Sequence, residues 1–408
     1  MAKVLIALLG TGRKAKGDDT NNRYEVTDYI LENKLYKKLT FTSNAIIKHF
    51  SIEKVFYIGT SQSMWDNIAE YFEDDELALE LIEKKDQNTL KETELEKLNH
   101  LIDTKLKNNG SKCFIVKDGE NEDELWSMFE KFLEILESID DNDEVYFDIT
   151  HLFRSVSVMS FIIAEFGKTY KNFTIGGFFY GMLKINEPSK IIDVRIFFEL
   201  LEWAKAIEEI EKFASFNRFV MLSEEKIEKN GLNTLNRLKD AFGIANMSAI
   251  YNSLNNIKNH LEYFEKNELK VIKLLSPRIE KFIVDLSAKS LSDFQFKLAK
   301  FFADKNNYAL AYIALAEAVV SYICEKRGLN VNSKDGRDEA KAIIKGGFDK
   351  SYPYSHPKKK FANMYINQIN KIRNNIAHQL ETTKNPKDDI NNFEKYYNDS
   401  RKYLKEIF

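Results

Sequence analysis

Cysteine is nearly absent from this sequence of 408 residues, which contains only two. Cys113 and Cys324 lie far apart along the chain, and neither has neighbours that resemble metal ligands. The sequence therefore argues against a disulfide framework and against a zinc site. We expect no metal cofactor.

Apolar runs long enough to span a membrane are also lacking. The longest candidate, Val156 to Phe166, is short and is interrupted by polar residues. The N-terminal run, Met1 to Leu9, lacks the small-residue cleavage site of a signal peptide. It ends in Gly10-Thr11-Gly12, as a first buried strand would. We therefore expect a cytoplasmic protein.

A strong net charge is missing as well, since the formal charge is −3 at pH 7. Charge is nevertheless uneven along the chain, with 11 acidic and 4 basic residues from Glu70 to His100. From Arg337 to His378 there are 9 basic and 3 acidic residues. Such a basic stretch is compatible with local binding of phosphate. A solvated, lysine-rich face explains the charge alone equally well.

Short apolar runs that end in Gly, Ser or Thr turns dominate the first 200 residues, and helical segments separate them. This alternation is typical of a buried parallel sheet in a doubly wound, Rossmann-like α/β fold. A long acidic stretch near 66–108 is predicted to be a helical insertion. The predicted strands are Val4 to Leu9, Val55 to Ile58, Cys113 to Val116, Val145 to Asp148 and Phe173 to Tyr180.

The second half of the chain has helical periodicity and little strand signal. Only five prolines occur in the chain, and Pro277 falls near a natural boundary. We therefore predict an α/β domain over 1–200, a helical connector over 201–290 and an all-helical domain over 291–408.

One hexad in the helical domain, Arg373-Asn374-Asn375-Ile376-Ala377-His378, carries chemistry. On a helix, Asn374 and His378 share one face and Arg373 flanks it. An arginine can stabilise charge on a phosphorane, and an imidazole can move or orient a proton. A ribose 2′-hydroxyl would supply the nucleophile without a metal. By spacing alone, a structural role for His378 is the commoner case.

The hexad resembles the Arg-x4–6-His signature of the HEPN nucleases, in which Asn often follows the Arg. An upstream helix from Tyr308 to Ala318 also resembles the small-residue helix that precedes this motif. The resemblance implies a metal-independent endoribonuclease whose active site is formed by two protomers of a homodimer. Glu317, within that upstream helix, is either a polar support for the site or an exposed acid.

A second motif, Asp148-Ile149-Thr150-His151-Leu152-Phe153-Arg154-Ser155, joins a predicted strand to a predicted helix. Such a junction is suited to binding anions, because unpaired N–H groups and the helix dipole face outward. Simple helix capping is the alternative. Two further loops are expected at the same sheet edge. The candidate ligand residues are Gly10, Thr11, Gly12, Thr60, Ser61, Gln62, Thr150, His151 and Arg154.

The second motif resembles the Asp-x-Thr-His-Gly-Phe-Arg motif of CARF domains in type III CRISPR accessory proteins, with Leu152 in place of the usual Gly. The resemblance implies a dimeric sensor that binds a cyclic oligoadenylate, here cyclic tetra-adenylate, across its two-fold axis. Together the two resemblances imply an antiviral ribonuclease that this ligand activates and whose substrate is single-stranded RNA. Two alternatives remain: a nucleotide-binding module whose helical domain serves only for dimerisation, and a ring nuclease that cleaves its own ligand.

Overall fold

The computed structural model describes residues 2–14, 22–23, 26–184, 187–258, 270–378 and 386–408. It divides the chain into two units, Met1–Glu199 and Leu200–Phe408.

The first unit is built on a mixed sheet of eight strands in the order β5-β4-β10-β9-β8-β1-β6-β7. The central strands β9, β8, β1, β6 and β7 are parallel, and β10 runs antiparallel to β9. A separate two-stranded ribbon, β2–β3, follows β1. The strands are β1 (Lys3–Leu9), β2 (Arg13–Lys14), β3 (Asn22–Arg23), β4 (Thr27–Leu31), β5 (Lys34–Leu39), β6 (Lys54–Gly59), β7 (Lys112–Ile115), β8 (Glu144–Asp148), β9 (Thr174–Met182) and β10 (Ser189–Asp193).

Helices cover both faces of this sheet, because alternate residues of each central strand point to opposite faces. In β1, Leu5, Ala7 and Leu9 belong to one core, whereas Val4, Ile6 and Leu8 belong to the other. The first core includes residues of α1 to α4, and the second includes residues of α5 and α6. These helices are α1 (Thr42–Phe50), α2 (Trp65–Tyr71), α3 (Asp75–Asp86), α4 (Glu96–Leu106), α5 (Glu122–Glu137) and α6 (Arg154–Tyr170).

The expected Rossmann-like α/β fold is confirmed, and the five predicted strands correspond to β1, β6, β7, β8 and β9. The strands β4, β5 and β10, which lie together at one side of the sheet, were not predicted, because they mix apolar with polar or charged residues. Glu32 and Asn33 join β4 to β5 with φ of 48° and 66°. Two consecutive positive φ values are typical of the type I′ turn of a hairpin.

The acidic stretch between β6 and β7 folds as α2, α3, a short 3-10 helix (Glu92–Leu95) and α4. Leu77, Leu81, Leu98 and Ile102 from this stretch are buried in the core beneath the sheet. These helices therefore form part of the layer that covers one face of the sheet, and most of their acidic residues are not buried, with the exception of Asp66, which pairs with Lys85.

Helices are the only regular secondary structure among the described residues of the second unit. The predicted connector and the predicted helical domain share one hydrophobic cluster that runs from Trp203 to Leu404. Its helices are α7 (Ile196–Phe213, which begins in the first unit), α8 (Asn217–Ser223), α9 (Lys229–Gly243), α10 (Met247–Lys258), α11 (Lys270–Leu286), α12 (Leu291–Asp304), α13 (Tyr308–Arg327), α14 (Lys334–Lys345), α15 (Pro357–Met364), α16 (Asn370–His378) and α17 (Pro386–Ile407).

Pro277 does not mark a boundary, because it lies inside α11. A proline within a helix leaves the carbonyl group four residues earlier without its N–H partner. Here that carbonyl group belongs to Lys273, and the hydroxyl of Ser276 donates a hydrogen bond to it at 2.9 Å. A local side chain thus replaces the missing backbone bond.

Among the residues that the structure describes, one helix, α13, is long and apolar enough to cross a membrane by length and composition. It is longer than the candidate run Val156 to Phe166 named from the sequence. Most of its apolar stretch is buried inside the helical unit, as expected for a core helix.

Candidate ligand site and candidate active site

Three candidate loops lie at one edge of the sheet. The strands β8, β1 and β6 are adjacent and parallel, so their carboxyl ends meet at that edge. The chain moves outward from β1 to β6 and β7 on one side, and then returns to β8 and β9 on the other. Open α/β sheets bind ligands at such a switch point, outside the carboxyl ends of the strands.

The loops after β1 and β6 are tied together by hydrogen bonds. The Ser63 hydroxyl donates to the Leu9 carbonyl oxygen at 2.7 Å, and the Met64 N–H donates to the Gly10 carbonyl oxygen at 3.0 Å. The Thr60 N–H donates to the Ser63 hydroxyl at 2.8 Å, and Thr60 is buried. This network makes Ser63, which was not among the predicted residues, the link between the two loops.

The remaining predicted residues of these two loops differ in environment. Thr11 and Gln62 are exposed, whereas Gly12 and Ser61 are half-buried. The Gln62 carboxamide nitrogen donates to the Asn88 side-chain oxygen at 2.7 Å. Gln62 is therefore anchored to the acidic helical stretch.

Thr150 is held between a carboxylate and a neighbouring strand. Its hydroxyl and its N–H both donate to Asp148 Oδ1, and the hydroxyl accepts a hydrogen bond from the Gly181 N–H at 2.8 Å. A hydroxyl has one donor hydrogen, so that of Thr150 is already in use. A Cβ atom on Gly181 would lie 2.5 Å from the Thr42 hydroxyl oxygen, so a side chain there would disturb this packing.

Asp148 and His151 are both buried. Burial raises the pKa of Asp148 to about 7, because a charged carboxylate is poorly solvated inside the unit. Burial also lowers the pKa of His151 to about 4, and its ring packs edge-on against Phe41. His151 is therefore neutral near pH 7 and contributes no positive charge to the ligand edge.

Leu152 adopts a backbone conformation that favours glycine, with φ of 76°. The backbone at this position is thus left-handed, as a glycine would readily allow, although the residue is leucine. Two residues later, the exposed Arg154 opens the 17-residue helix α6. A helix N-terminus and a guanidinium group at one strand end can together bind a phosphate.

In the helical unit, the Arg-Asn-x-x-Ala-His hexad lies at the end of α16. A π-helical turn, Tyr365–Ile369, separates α15 from α16 and was not predicted from the sequence. Such turns are frequent at functional sites, because the extra residue rotates the side chains that follow. The Tyr365 hydroxyl donates to the Ala316 carbonyl oxygen of α13 at 3.4 Å, which ties this turn to the core.

The guanidinium group of Arg373 is held by two acceptors. Its Nη1 donates to Asn374 Oδ1 at 3.0 Å, and its Nη2 lies 3.6 Å from Glu317 Oε1. About a third of the Arg373 side chain is exposed (34%), so it remains accessible. His378 is exposed five residues further along the same helix.

Glu317 is half-buried and bridges two arginines. Its Oε2 accepts a hydrogen bond from Arg337, and its Oε1 pairs with Arg373. Of the two alternatives left by the sequence, this geometry favours a polar support. Arg337 was predicted only as one of many basic residues in 337–378, and no local pattern distinguishes it.

Among the residues that the structure describes, no group of three or more His, Cys, Asp or Glu side chains could hold a metal ion.

The comparisons with known families identify parts of both units. Residues 4–188 match the family described as the CARF domain of the CRISPR system endoribonuclease Csx1. Residues 199–290 match the second domain of the CRISPR-associated protein MJ1674. The match in the second unit covers the stretch predicted to be a connector.

A curated relative covers most of the chain. The CRISPR-associated protein MJ1674 of Methanocaldococcus jannaschii is 29% identical over 423 aligned positions, which cover 96% of this chain. The chain spans 65% of the length of that relative. Among solved structures, Enterococcus italicus Csm6 bound to cyclic hexa-2′-fluoro-hexa-dAMP matches 100% of this chain and 94% of its own, with 13% identity and a TM-score of 0.43.

Proposed function

We propose that this chain, a CRISPR-associated accessory protein with an N-terminal CARF domain, is an endoribonuclease that a cyclic oligoadenylate activates. The proposed activator is cyclic tetra-adenylate, the proposed substrate is single-stranded RNA, and the reaction needs no metal ion. The active unit is a homodimer.

The observation that carries this proposal is the arrangement of Arg373. Its guanidinium group is positioned by Glu317 and Asn374, remains partly exposed, and lies on the helix that ends with the exposed His378. A positioned guanidinium group can stabilise the developing charge on phosphate oxygens at no reorganisation cost.

The proposed reaction uses the RNA as its own nucleophile. The ribose 2′-oxygen attacks the adjacent phosphorus atom while its proton is transferred to a base, and the bond from phosphorus to the 5′-oxygen breaks. His378 moves or orients the proton, and Arg373 stabilises the phosphorane. The 5′-oxygen leaves with a proton, which gives a 2′,3′-cyclic phosphate and a 5′-hydroxyl. A flexible single strand reaches the required in-line geometry more readily than a duplex.

An exposed apolar stripe on α6 supports the proposed dimer. Val158, Ile162, Phe166 and Tyr170 follow one another at intervals of four residues, and each is at least 43% exposed. Residues at this spacing share one face of a helix. Because Arg154 opens the same helix, pairing of two copies along the stripe would bring two ligand loops together.

Ligand binding at the sheet edge would then shift an equilibrium between inactive and active dimers. A ligand shifts such an equilibrium only through its preference for one state. A near-complete switch requires roughly 5 kcal/mol of differential binding.

The first test is cleavage of a fluorescent single-stranded RNA in EDTA, with and without cyclic tetra- or hexa-adenylate. We expect cleavage with cyclic tetra-adenylate, and no cleavage with cyclic hexa-adenylate or without a ring. Failure with both rings and a range of RNA sequences would contradict the proposal.

A second candidate function is cleavage of the ring ligand by the CARF domain, with the helical unit serving only for dimerisation. The buried Asp148 favours it, since a carboxyl group with a pKa of about 7 suits proton transfer and contacts the Thr150 hydroxyl. Incubation with labelled cyclic oligoadenylate tests this candidate, because linear products would appear without any added RNA.

A further inference from the structure

A lysine-rich surface with exposed aromatic rings lies between the end of α14 and the start of α15 in the helical unit. Residues 345–360 contain five lysines and a single acid, and this segment is called the 345–360 surface hereafter. It falls within the basic stretch that the sequence indicated, and neither candidate site uses it. Its charged residues are Lys345, Asp349, Lys350, Lys358, Lys359 and Lys360, and its aromatic rings include Tyr352, Tyr354 and His356.

The lysines of the 345–360 surface are not neutralised by nearby acids. Among the residues that the structure describes, none of the five forms a salt bridge with a carboxylate. Asp349 interacts electrostatically with Lys359, and it accepts a hydrogen bond from the Ser351 N–H at 2.8 Å. The excess of positive charge that remains attracts a polyanion. By contrast, four lysines of the acidic stretch in the first unit each pair with a carboxylate: Lys84, Lys85, Lys97 and Lys105.

Tyr354 projects from this surface into solvent. It is 87% exposed, the highest value among the large apolar residues that the structure describes. Lys359 Nζ lies 4.4 Å from the centre of its ring. A single exposed aromatic ring is ordinary on a protein surface. A ring beside a cation, however, offers a stacking face for a nucleobase and a positive charge for the adjacent phosphate.

The loop that carries Tyr354 is held in place by its own side chains. The rings of Tyr352 and His356 stack with their centres 4.3 Å apart and their planes at 17°. Lys359 Nζ donates a hydrogen bond to the Tyr352 carbonyl oxygen at 3.1 Å, and the Lys358 N–H donates to His356 Nδ1 at 3.3 Å. These contacts order the loop before any ligand binds, which lowers the entropic cost of binding.

A cavity of about 200 Å³ adjoins the loop and is lined in part by Tyr352, Lys358 and Arg327. Pockets that enclose a whole small ligand usually measure about 300–1,000 Å³, so this one is small. A strand that lies across the surface therefore fits better than a free nucleotide or cofactor enclosed within it.

The 345–360 surface is joined to the candidate active site by one helical run. The helix α15, the π-helical turn and α16 follow one another without a break from Pro357 to His378. Lys358 precedes Arg373 by 15 residues, which corresponds to about 22 Å at 1.5 Å per residue. Stacked nucleotides rise about 3.4 Å each, so roughly seven or fewer span this distance. One RNA strand can therefore reach both places.

Resting on the proposed ribonuclease function, we propose that the 345–360 surface binds the single-stranded RNA substrate on one side of the cut. A base stacks on Tyr354, and the lysines that follow it contact the phosphates. Stacking tolerates every base, so this surface holds the strand without reading its sequence. An acidic protein segment would need only the lysines, so the exposed tyrosine favours RNA.

The first test measures binding of an uncleavable, fluorescently labelled 2′-O-methyl RNA to the intact protein, without activator. Tyr354→Ser should weaken binding by about fivefold or more, as expected for the loss of one stacked base. Tyr354→Phe keeps the ring and should bind like the wild type. Because Tyr354 is exposed, both variants should fold. Equal affinity in all three proteins would overturn the inference.

The salt dependence of the same binding tests the lysines. Each phosphate contact with a single strand contributes about 0.7 to the slope of log K against log salt. The double variant Lys358→Gln/Lys360→Gln should therefore lower the slope by about 1.4. The control Lys273→Gln/Lys289→Gln changes two exposed lysines elsewhere in the helical unit and should keep the wild-type slope. Equal slopes in both double variants would contradict the proposed phosphate contacts.

Polyglutamate distinguishes RNA from an acidic protein partner. We expect RNA to bind the wild type more tightly than polyglutamate of equal charge, and only RNA binding to depend on the Tyr354 ring. Polyglutamate that binds as tightly as RNA would overturn the inference in favour of an acidic protein.

Cleavage assays separate this inference from the proposed activity. With activator present, RNAs with one cut site carry tails of increasing length on either side. For the wild type, kcat/KM should rise about fivefold or more once one tail reaches roughly seven nucleotides, and Tyr354→Ser should lose this rise. Cleavage that does not depend on tail length would overturn the inference alone. Ring-dependent RNA binding without any cleavage would support RNA binding here and contradict the proposed ribonuclease function.

Discussion

The two units position their candidate functional groups in different ways. In the N-terminal unit, the candidate ligand residues follow three strands that are adjacent in the sheet but far apart in the sequence. They are held by hydrogen bonds through the Ser63 hydroxyl, by backbone hydrogen bonds, and by the contact of Thr150 with the buried Asp148. In the C-terminal unit, Arg373, Asn374 and His378 lie on a single helix, and two charged residues from elsewhere support them.

Because of this difference, the two sites should respond differently to the loss of a single side chain. A site assembled from several loops depends on the backbone conformation of each loop, so the loss of one side chain should weaken ligand binding only in part. A site built on one helix depends on a few side chains, so removing one of them should lower the activity sharply.

The largest effect is expected from the helix-borne site. Arg373→Ala and His378→Ala should each reduce RNA cleavage by about 10²-fold or more, because in the proposed reaction each residue acts on the reacting groups. Cleavage assays at saturating activator measure the loss. Binding of labelled cyclic tetra-adenylate should be unchanged, and intact cleavage in both variants would contradict the catalytic assignment.

Arg154→Ala should raise the activator concentration that cleavage requires, without abolishing cleavage. Loss of one charged hydrogen bond to a phosphate costs about 1.5–3 kcal/mol, so the activator concentration for half-maximal cleavage should rise about 10- to 100-fold. The maximal rate should stay near that of the wild type. Lys171→Ala, at the opposite end of α6, serves as the control and should leave the activation curve in place.

Glu317→Gln should lower kcat by on the order of tenfold, because Arg373 and Arg337 lose their shared carboxylate while Asn374 still holds Arg373. KM should change little if Glu317 positions the guanidinium group rather than binding RNA. Steady-state kinetics separate the two constants. Glu280→Gln, an exposed acid of the same unit, is the control, and equal kcat values in both variants would count against a positioning role.

Asp148→Asn should change how stability depends on pH. Between pH 4 and 7 the folded unit retains a proton on Asp148 that the unfolded chain releases, so this residue makes the free energy of unfolding fall as pH rises. His151 has the opposite effect between about pH 4 and pH 6.5. It makes the free energy of unfolding rise with pH, because over this range the unfolded chain binds the proton more tightly than the folded unit does.

Since the variant keeps only the His151 contribution, its stability relative to the wild type should increase from pH 4 to 7 and then level off. The expected gain is on the order of 1 kcal/mol or more. Denaturant unfolding at a series of pH values measures it. A difference that is constant with pH would show that Asp148 is not protonated in the folded unit.

The smallest effect concerns the backbone at Leu152. Leu152→Gly should leave the stability nearly unchanged, because the relief of backbone strain at a φ of 76° offsets the loss of side-chain packing. Leu152→Val should destabilise the unit by about 1 kcal/mol, since β-branched residues tolerate positive φ poorly. Comparison of the two unfolding midpoints tests whether backbone conformation, rather than side-chain volume, limits this loop.

Much of the fold was predictable because its signals are local. Short apolar runs that end in turns identified the five parallel strands, and periodicity identified the helical half. The strands β4, β5 and β10 were missed, since each buries only some of its residues and so carries little apolar signal. The π-helical turn at Tyr365–Ile369 was also missed, because its residues have ordinary helical periodicity.

The candidate functional groups could be read from the sequence alone: an arginine and a histidine on one helix, and polar strand ends, one of which precedes a helix. These follow from residue type and short spacing, which local periodicity preserves. Only the tertiary structure decided that Ser63 links two loops, that His151 is buried and neutral, and that Glu317 joins Arg337 to Arg373. Burial and ion pairing depend on which distant segments pack together, and that information lies in the sheet order and the helical core rather than in any single stretch of the chain.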